Sequence, residues 1–443
     1  MTVDRDRIVA LDKRRVWHPY TSMDEYAKSV DPIVVVRAEG AWLHDADGRS
    51  YLDANSSWWV ASLGHNHPRL VAALERQARE NCHSALAGMT NPPAAELAEA
   101  LCAVAPRSPL EAAAGLEHVF FSDDGSTAVE VALKLSIQYW AQNGRPARTR
   151  FAALDDGFHG ETIGATALGG VELFRRPFRG VLAECFHLPS PGDPAVSLDR
   201  AIAALDELLA READTIACLV VEPIVQGAAG MWMHDAAYLR AARELCTRHD
   251  VFLVADEVFT GYGRTGPMWA CERAGITPDL VCTAKGFSGG MLPMAATLAT
   301  ARIFEGFLGG RERAFYYGHS FCGNPLGAAV AREVLRVYRD EQVIERAAPK
   351  AARIADAFAK LGALRGVART RSVGMIGALD LAGPAGYLAD AGWRVYEEAR
   401  RRGAYLRPLG NVIYVAPPLN IPDADLDRLL AIVAESVAAV AGG

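Results

Sequence analysis

VFLVADEVFTGYGRTG, residues 251–266, opens with five apolar residues, passes through two acids and ends in a glycine-rich turn. Five apolar residues rich in β-branched and aromatic side chains read as a buried strand. A carboxylate at the end of such a strand is costly unless something pairs with it. Asp256 therefore asks for a partner. One natural partner is a protonated ring nitrogen of a cofactor.

Outward from this stretch the same rhythm repeats. AAYLRAARELCTRHD (236–250) reads as a helix running into it, and TIACLVVEP (215–223) as another strand. DLVCTAKG (279–286) follows it; HVFFS (118–122), the helix AVEVALKLSIQYW (128–140) and RFAAL (150–154) precede it. Short buried runs alternating with helices predict an α/β fold with a mostly parallel sheet covered on both faces. Residues 33–53 read as short strands, and Pro68 to about Asn81 and 94–105 as helices. Beyond residue 330 a long helical region leads into VGMIGALDL, a helix, the strand-like VIYVAPPL and a last helix from Asp423. The chain is thus expected to divide into an N-terminal segment (1–66), a large domain (67–330) and a smaller C-terminal α+β domain (331–443).

The bulk numbers exclude several classes. The 443 residues carry a net charge of −7, against a dedicated nucleic-acid binder. No stretch is long and apolar enough for a membrane span, and the N-terminus lacks a secretory signal's apolar core. The eight cysteines are scattered without a C-x-x-C, and no histidine pair stands at zinc spacing. Reduced thiols, no metal and a cytoplasmic location are expected.

Ligands of open α/β sheets gather beyond the carboxyl ends of the strands. After HVFFS comes DDGST, where Gly125 and Ser126 begin a helix; that start is either an anion site or an ordinary capped terminus. After DLVCTA comes Lys285, either an exposed strand-end lysine or a buried amine with a lowered pKa, fit for covalent catalysis. A phosphate cradle, an acid and a reactive lysine, in that order, are what pyridoxal phosphate needs.

FFSDDGSTAVEVALK (120–134), VVEPIVQGAAGM (220–231), ADEVFTGYGRTG (255–266) and AKGFSGGMLPMAA (284–296) resemble the signature blocks of class III aminotransferases along essentially the whole chain. The resemblance implies a fold-type I transferase with a mostly parallel seven-stranded sheet, bound pyridoxal 5'-phosphate and a homodimer with shared active sites. Lys285 would carry the cofactor and move protons. Asp256 would keep its pyridinium protonated. Gly125 and Ser126 would hold the phosphate, and Phe158 would stack on the ring with His159 beside it. Glu222 would support the site. In YYGHSFCGNP (316–325), Ser320 would reach the neighbouring subunit's phosphate, with Gly318 and His319 close by.

Three further blocks narrow the resemblance. VWHPYTSM (16–23), DANSSWWVASLGHNHP (53–68) and LRPLGNVIYVAPPL (406–419) are similar to the adenosylmethionine–8-amino-7-oxononanoate aminotransferases of biotin biosynthesis. Carried over, Tyr20, Trp58, Trp59, Phe158, Gly318 and Arg407 would line the substrate site. A tryptophan wall suits the substrate's apolar chain and an arginine fork its carboxylate. Extended backbone would send Trp58 and Trp59 to opposite sides. His18 reads as a structural hydrogen bonder. Phe158, Phe259 and GHS (318–320) depart from the commoner tyrosine, small residue and GPT. HSALAGMTN (83–91) is closer to members that take the amino group from lysine, whereas SSWW (56–59) is closer to adenosylmethionine users. Either donor, or a simple amine with pyruvate as in the ω-amine aminotransferases, is compatible with these blocks.

Overall fold

Seven of the apolar runs pair into one sheet. The computed structural model describes residues 3–109 and 115–441. The strands are β1 (Leu116–Ser122), β2 (Arg150–Leu154), β3 (Cys185–Leu188), β4 (Ile216–Val221), β5 (Phe252–Asp256), β6 (Leu280–Thr283) and β7 (Ala295–Thr300). Their spatial order is β1-β7-β6-β5-β4-β2-β3. Only β7 runs antiparallel to its neighbours, so six strands end on one edge.

Every residue of β4, β5, β6 and β7 is buried. That explains why these strands read as continuous apolar runs rather than alternating ones. Leu253 and Ala255 face one core, and Phe252 and Val254 face the other. Helix Gly125–Gln142 covers the second core, presenting Ala128, Val129, Ala132, Leu133 and Leu135. Trp140, at the end of this helix, donates its indole N–H to Ala217 O at 2.8 Å and so closes that layer.

The chain's two ends interlace. Val35–Glu39, Trp42–Asp45 and Ser50–Asp53 form an antiparallel sheet, and Ala404–Tyr405 joins it in parallel beside Ser50–Asp53. Val367–Val373, Ile376–Leu381 and Val412–Val415 make a three-stranded antiparallel sheet behind it. The expected long helical region is two helices, Pro325–Asp340 and Val343–Leu361, broken where Gln342 turns left-handed at φ 50°. Two strands have weak sequence signals. Val367–Val373 is mostly half-exposed and rich in arginine, and β3 is short and lies at the sheet edge.

At the N-terminus, His18 lies 3.0 Å from Asp12 Oδ2 and packs on Tyr26, an anchoring role. All eight cysteines are free. Among the described residues no helix is long and apolar enough to cross a membrane, and no cluster of three or more His, Cys, Asp or Glu could hold a metal ion.

Leu52 is fully buried where the N-terminal sheet meets Ala404. Leu52→Ala should cost about 2–5 kcal/mol, the usual loss for a cavity of that size, in chemical denaturation.

Candidate active site

The carboxyl ends of the strands converge on one cavity of about 480 Å³. Gly125 and Ser126 follow β1, Phe158 and His159 follow β2, Glu222 follows β4, Asp256 ends β5, and Lys285 follows β6. All seven line the cavity, together with Tyr20, Trp59 and Phe259. Residues distant in sequence meet here because the parallel strands all stop at the same edge.

Asp256 is buried, and its carboxylate is held from both sides. Val258 donates its N–H to Oδ1 at 3.1 Å, and His159 Nδ1 lies 2.7 Å from Oδ2. Burial alone would lower the pKa of His159; the hydrogen bond and charge of Asp256, with Glu222 beyond, outweigh it and raise it. Glu222 accepts the N–H groups of Phe158 and Gly227, each at 2.9 Å. Burial nevertheless pushes its carboxyl up to about 7, eased by His159 and aggravated by Asp256. The Lys285 amine is pulled down by burial and held up in part by the charges of Asp256 and Glu222. Its Nζ sits 4.6 Å from the Trp59 ring centroid and 5.9 Å from that of Phe259. A buried amine of lowered pKa keeps more of its neutral, nucleophilic form near pH 7.

The start of helix Gly125–Gln142 fits a phosphate. Asp124 caps it, accepting the Thr127 N–H at 2.9 Å. The positive end of an 18-residue helix dipole then lies at Gly125 and Ser126. The backbone here has no room for side chains. A Cβ on Gly125 would come 2.8 Å from Val258 Cγ1, and one on Gly160 2.0 Å from Ser126 Oγ. Anion end, aromatic Phe158, acid and lysine share one enclosure, so these residues fit pyridoxal phosphate.

The tryptophan pair is not extended. Ser56, Ser57, Trp58 and Trp59 all have positive φ, 50°, 46°, 65° and 76°. They form a left-handed turn closed by Trp59 N–H to Asn55 O at 2.7 Å and Val60 N–H to Ser56 O at 3.0 Å. Left-handed L-residues cost about 1–2 kcal/mol each, so such a run persists only when its surroundings impose it. The turn separates the two indoles. Trp59 enters the cavity, donates to Tyr414 Oη at 3.1 Å and packs on Phe259 at 4.3 Å between ring centroids. Trp58 lies outside it, under the Arg407 guanidinium at 4.4 Å.

Tyr20 bridges the two regions. It lines the cavity, donates to Glu161 Oε1 at 2.7 Å and packs edge-on against Trp58 and Phe174. Among the described residues Arg407 has no carboxylate within ion-pair distance; Tyr387 and Tyr405 hydroxyls are its polar side-chain neighbours. Tyr387 lines a wider, open cleft of about 850 Å³ next to the first. Phe174, Glu161, Tyr387 and Tyr414 belong to this site and had no sequence signal, being single residues in a one-turn helix, in loops and in a buried strand. The 318–320 loop is not in the cavity. Ser320 is exposed, and His319 touches the rim at Asp123, 3.5 Å away.

The sequence profile of the class-III aminotransferases matches residues 25–437. The chain is 39% identical to an adenosylmethionine-8-amino-7-oxononanoate aminotransferase from Geobacter sulfurreducens, over 98% of this chain and 97% of that one. The crystal structure of an adenosylmethionine-8-amino-7-oxononanoate aminotransferase from Methanocaldococcus jannaschii superposes with a TM-score of 0.93 at 35% identity, covering 99% and 100% of the two chains. A PLP-bound amine transaminase from an uncultivated Pseudomonas species superposes at 0.87 with 32% identity, over 96% and 99%.

Two outcomes follow from the cavity. Lys285→Ala should release the cofactor on gel filtration and lower transamination by about 10²–10⁴-fold or more, the usual worth of a positioned proton carrier. Glu222 is easiest to bury when neutral. In the cofactor-free protein its burial costs nothing below the ordinary 4.5 and its full amount above about 7. Glu222→Gln never bears that cost. Its stability relative to the parent should therefore rise by roughly 3 kcal/mol between those pH values in urea unfolding, on top of any pH-independent loss of a hydrogen bond.

Proposed function

The chain belongs to the class-III aminotransferases, and on that premise we propose that it aminates 8-amino-7-oxononanoate to 7,8-diaminononanoate, a step of biotin biosynthesis, with S-adenosylmethionine as donor. The observation that carries this reading is Arg407. A guanidinium stacked on Trp58, with no carboxylate among the described residues within ion-pair distance, suits a carboxylate at the far end of an apolar substrate. Tyr20, Trp58 and Trp59 supply the apolar wall between that end and Lys285.

Bound pyridoxal phosphate supplies the electron sink and the carbon that carries the amino group from donor to acceptor. Lys285 anchors it and moves the proton through Nζ. Asp256, fixed by His159, would face the cofactor's ring nitrogen and favour its protonated form. Gly125 and Ser126 hold the phosphate, Phe158 covers the ring, and Glu222 fixes the Phe158 backbone. Trp59 and Phe259 keep water from the lysine.

The protein works as a cytoplasmic homodimer in which the exposed 318–320 loop, with Gly318, His319 and Ser320, completes the neighbouring copy's phosphate site. Exposure of Ser320 and eight free cysteines support this.

A second reading, a general amine:pyruvate aminotransferase, is favoured by one feature. Phe158 brings no hydroxyl to the cavity and leaves that wall apolar. A donor screen separates the readings. With 8-amino-7-oxononanoate fixed as acceptor, adenosylmethionine should give diaminononanoate; product only with lysine changes the donor, and turnover only of simple amines with pyruvate rejects the proposal. Arg407→Ala should weaken acceptor binding by about 2–4 kcal/mol, seen as a raised KM with smaller change in kcat.

A further inference from the structure

Asp53 ends the strand Ser50–Asp53 and is completely buried, yet it touches neither the cavity nor Lys285. The hydrogen bonds of its carboxylate all go to the segment that follows, although its charge also acts on Arg264 and Tyr405. Oδ1 accepts the Asn55 N–H at 3.1 Å. Oδ2 accepts the Ser57 N–H at 2.6 Å and the Ser57 hydroxyl at 3.0 Å, and His65 Nε2 lies 2.9 Å away. A carboxylate taken this far from water needs such partners. Here they are the very groups that bend the chain left-handed.

The bend decides where both indoles go. Ser57 has φ 46° and ψ 57°, and Trp58 has φ 65° and ψ 43°. A return of either residue to right-handed or extended backbone swings Trp59 off Lys285 and Trp58 off Arg407. Asn55 extends the clamp, because its Oδ1 accepts the Arg407 N–H at 2.7 Å. One carboxylate thus reaches the amine end of the site through Trp59 and the carboxylate end through Asn55 and Trp58.

We propose that Asp53 is a positioning residue for the transamination: by holding the left-handed turn at Ser56–Trp59 it sets Trp59 over Lys285 and Trp58 beneath Arg407. The kinetic consequence rests on the function proposed above; the placement of Trp59 against Lys285 does not.

The test uses a glycine as rescue. Glycine adopts left-handed backbone without steric cost, so Ser57→Gly lessens the need for the clamp. Asp53→Asn should raise KM for the oxo-acid acceptor at least about tenfold, more than it lowers kcat. It should also shift the pH midpoint of the visible absorbance of lysine-bound cofactor, since Trp59 no longer faces Nζ. Adding Ser57→Gly to Asp53→Asn should restore most of both. Wild-type KM and midpoint in Asp53→Asn would overturn the proposal, and so would a double variant as impaired as the single one. If Asp53→Asn does not fold, recovery of folded protein by Ser57→Gly supports the clamp and failure to recover it overturns it. A shifted midpoint that glycine reverses, in an enzyme that does not turn over the oxo acid, upholds Asp53 and rejects the substrate.

Discussion

The hydrogen bond between His159 and Asp256 ties two strands' ends into one chemical unit. A carboxyl group buried at the end of the sheet's central strand is expensive, and this contact, with the Val258 N–H, gives it partners and aims it into the cavity. The remaining electrostatics follow from it. Its charge raises His159, makes Glu222 harder to ionise and opposes the lowering of Lys285. Asp256 thus acts on three buried titratable groups at once, and its removal would be felt at each of them.

That unit sits on a rigid edge, whereas the residues proposed to receive the substrate come from elsewhere. Tyr20 and the tryptophan pair arrive from the N-terminal segment, and Arg407 and Tyr414 from near the C-terminus. The two meet in hydrogen bonds between Ser56 and Ala416 O, Asn55 and Tyr414 O, and Trp59 and Tyr414 Oη. The division separates tasks. The sheet edge supplies the lysine and acids of the cavity, and the interlaced termini supply the aromatic residues and the arginine beside it.

The same division governs what was legible in the sequence. Strands β4, β5 and β6 were readable because burial on both faces leaves nearly unbroken apolar runs, and the groups at their ends follow at fixed short distances. Their assembly into one cavity was readable from topology. The handedness of Ser56–Trp59 was not. Nothing in SSWW requests positive φ; the turn is bonded to Asp53 just before it and to the strand around Tyr414 far along the chain, and the distant partner leaves no local pattern. Nor could Phe174 or Tyr387 be singled out, since an isolated aromatic in a one-turn helix or a loop looks the same whether it faces solvent or a cavity. Val367–Val373 was hidden for another reason: half-exposed and carrying arginines, it lacks the apolar signature of the central strands.

The union of the two termini also has a consequence in time. Trp59 and Tyr414 are 355 positions apart. A chain emerging from the ribosome at about 5–20 residues per second has made all seven strands of the large sheet, with the lysine and acids at their ends, well before Tyr414 exists. During that interval the left-handed turn has no wall to lean on, and Trp59 has no fixed place over the lysine. Every side chain of the sheet-edge cavity is thus made before Tyr414, and the last strand to be synthesised is the one whose Tyr414 receives the Trp59 indole N–H.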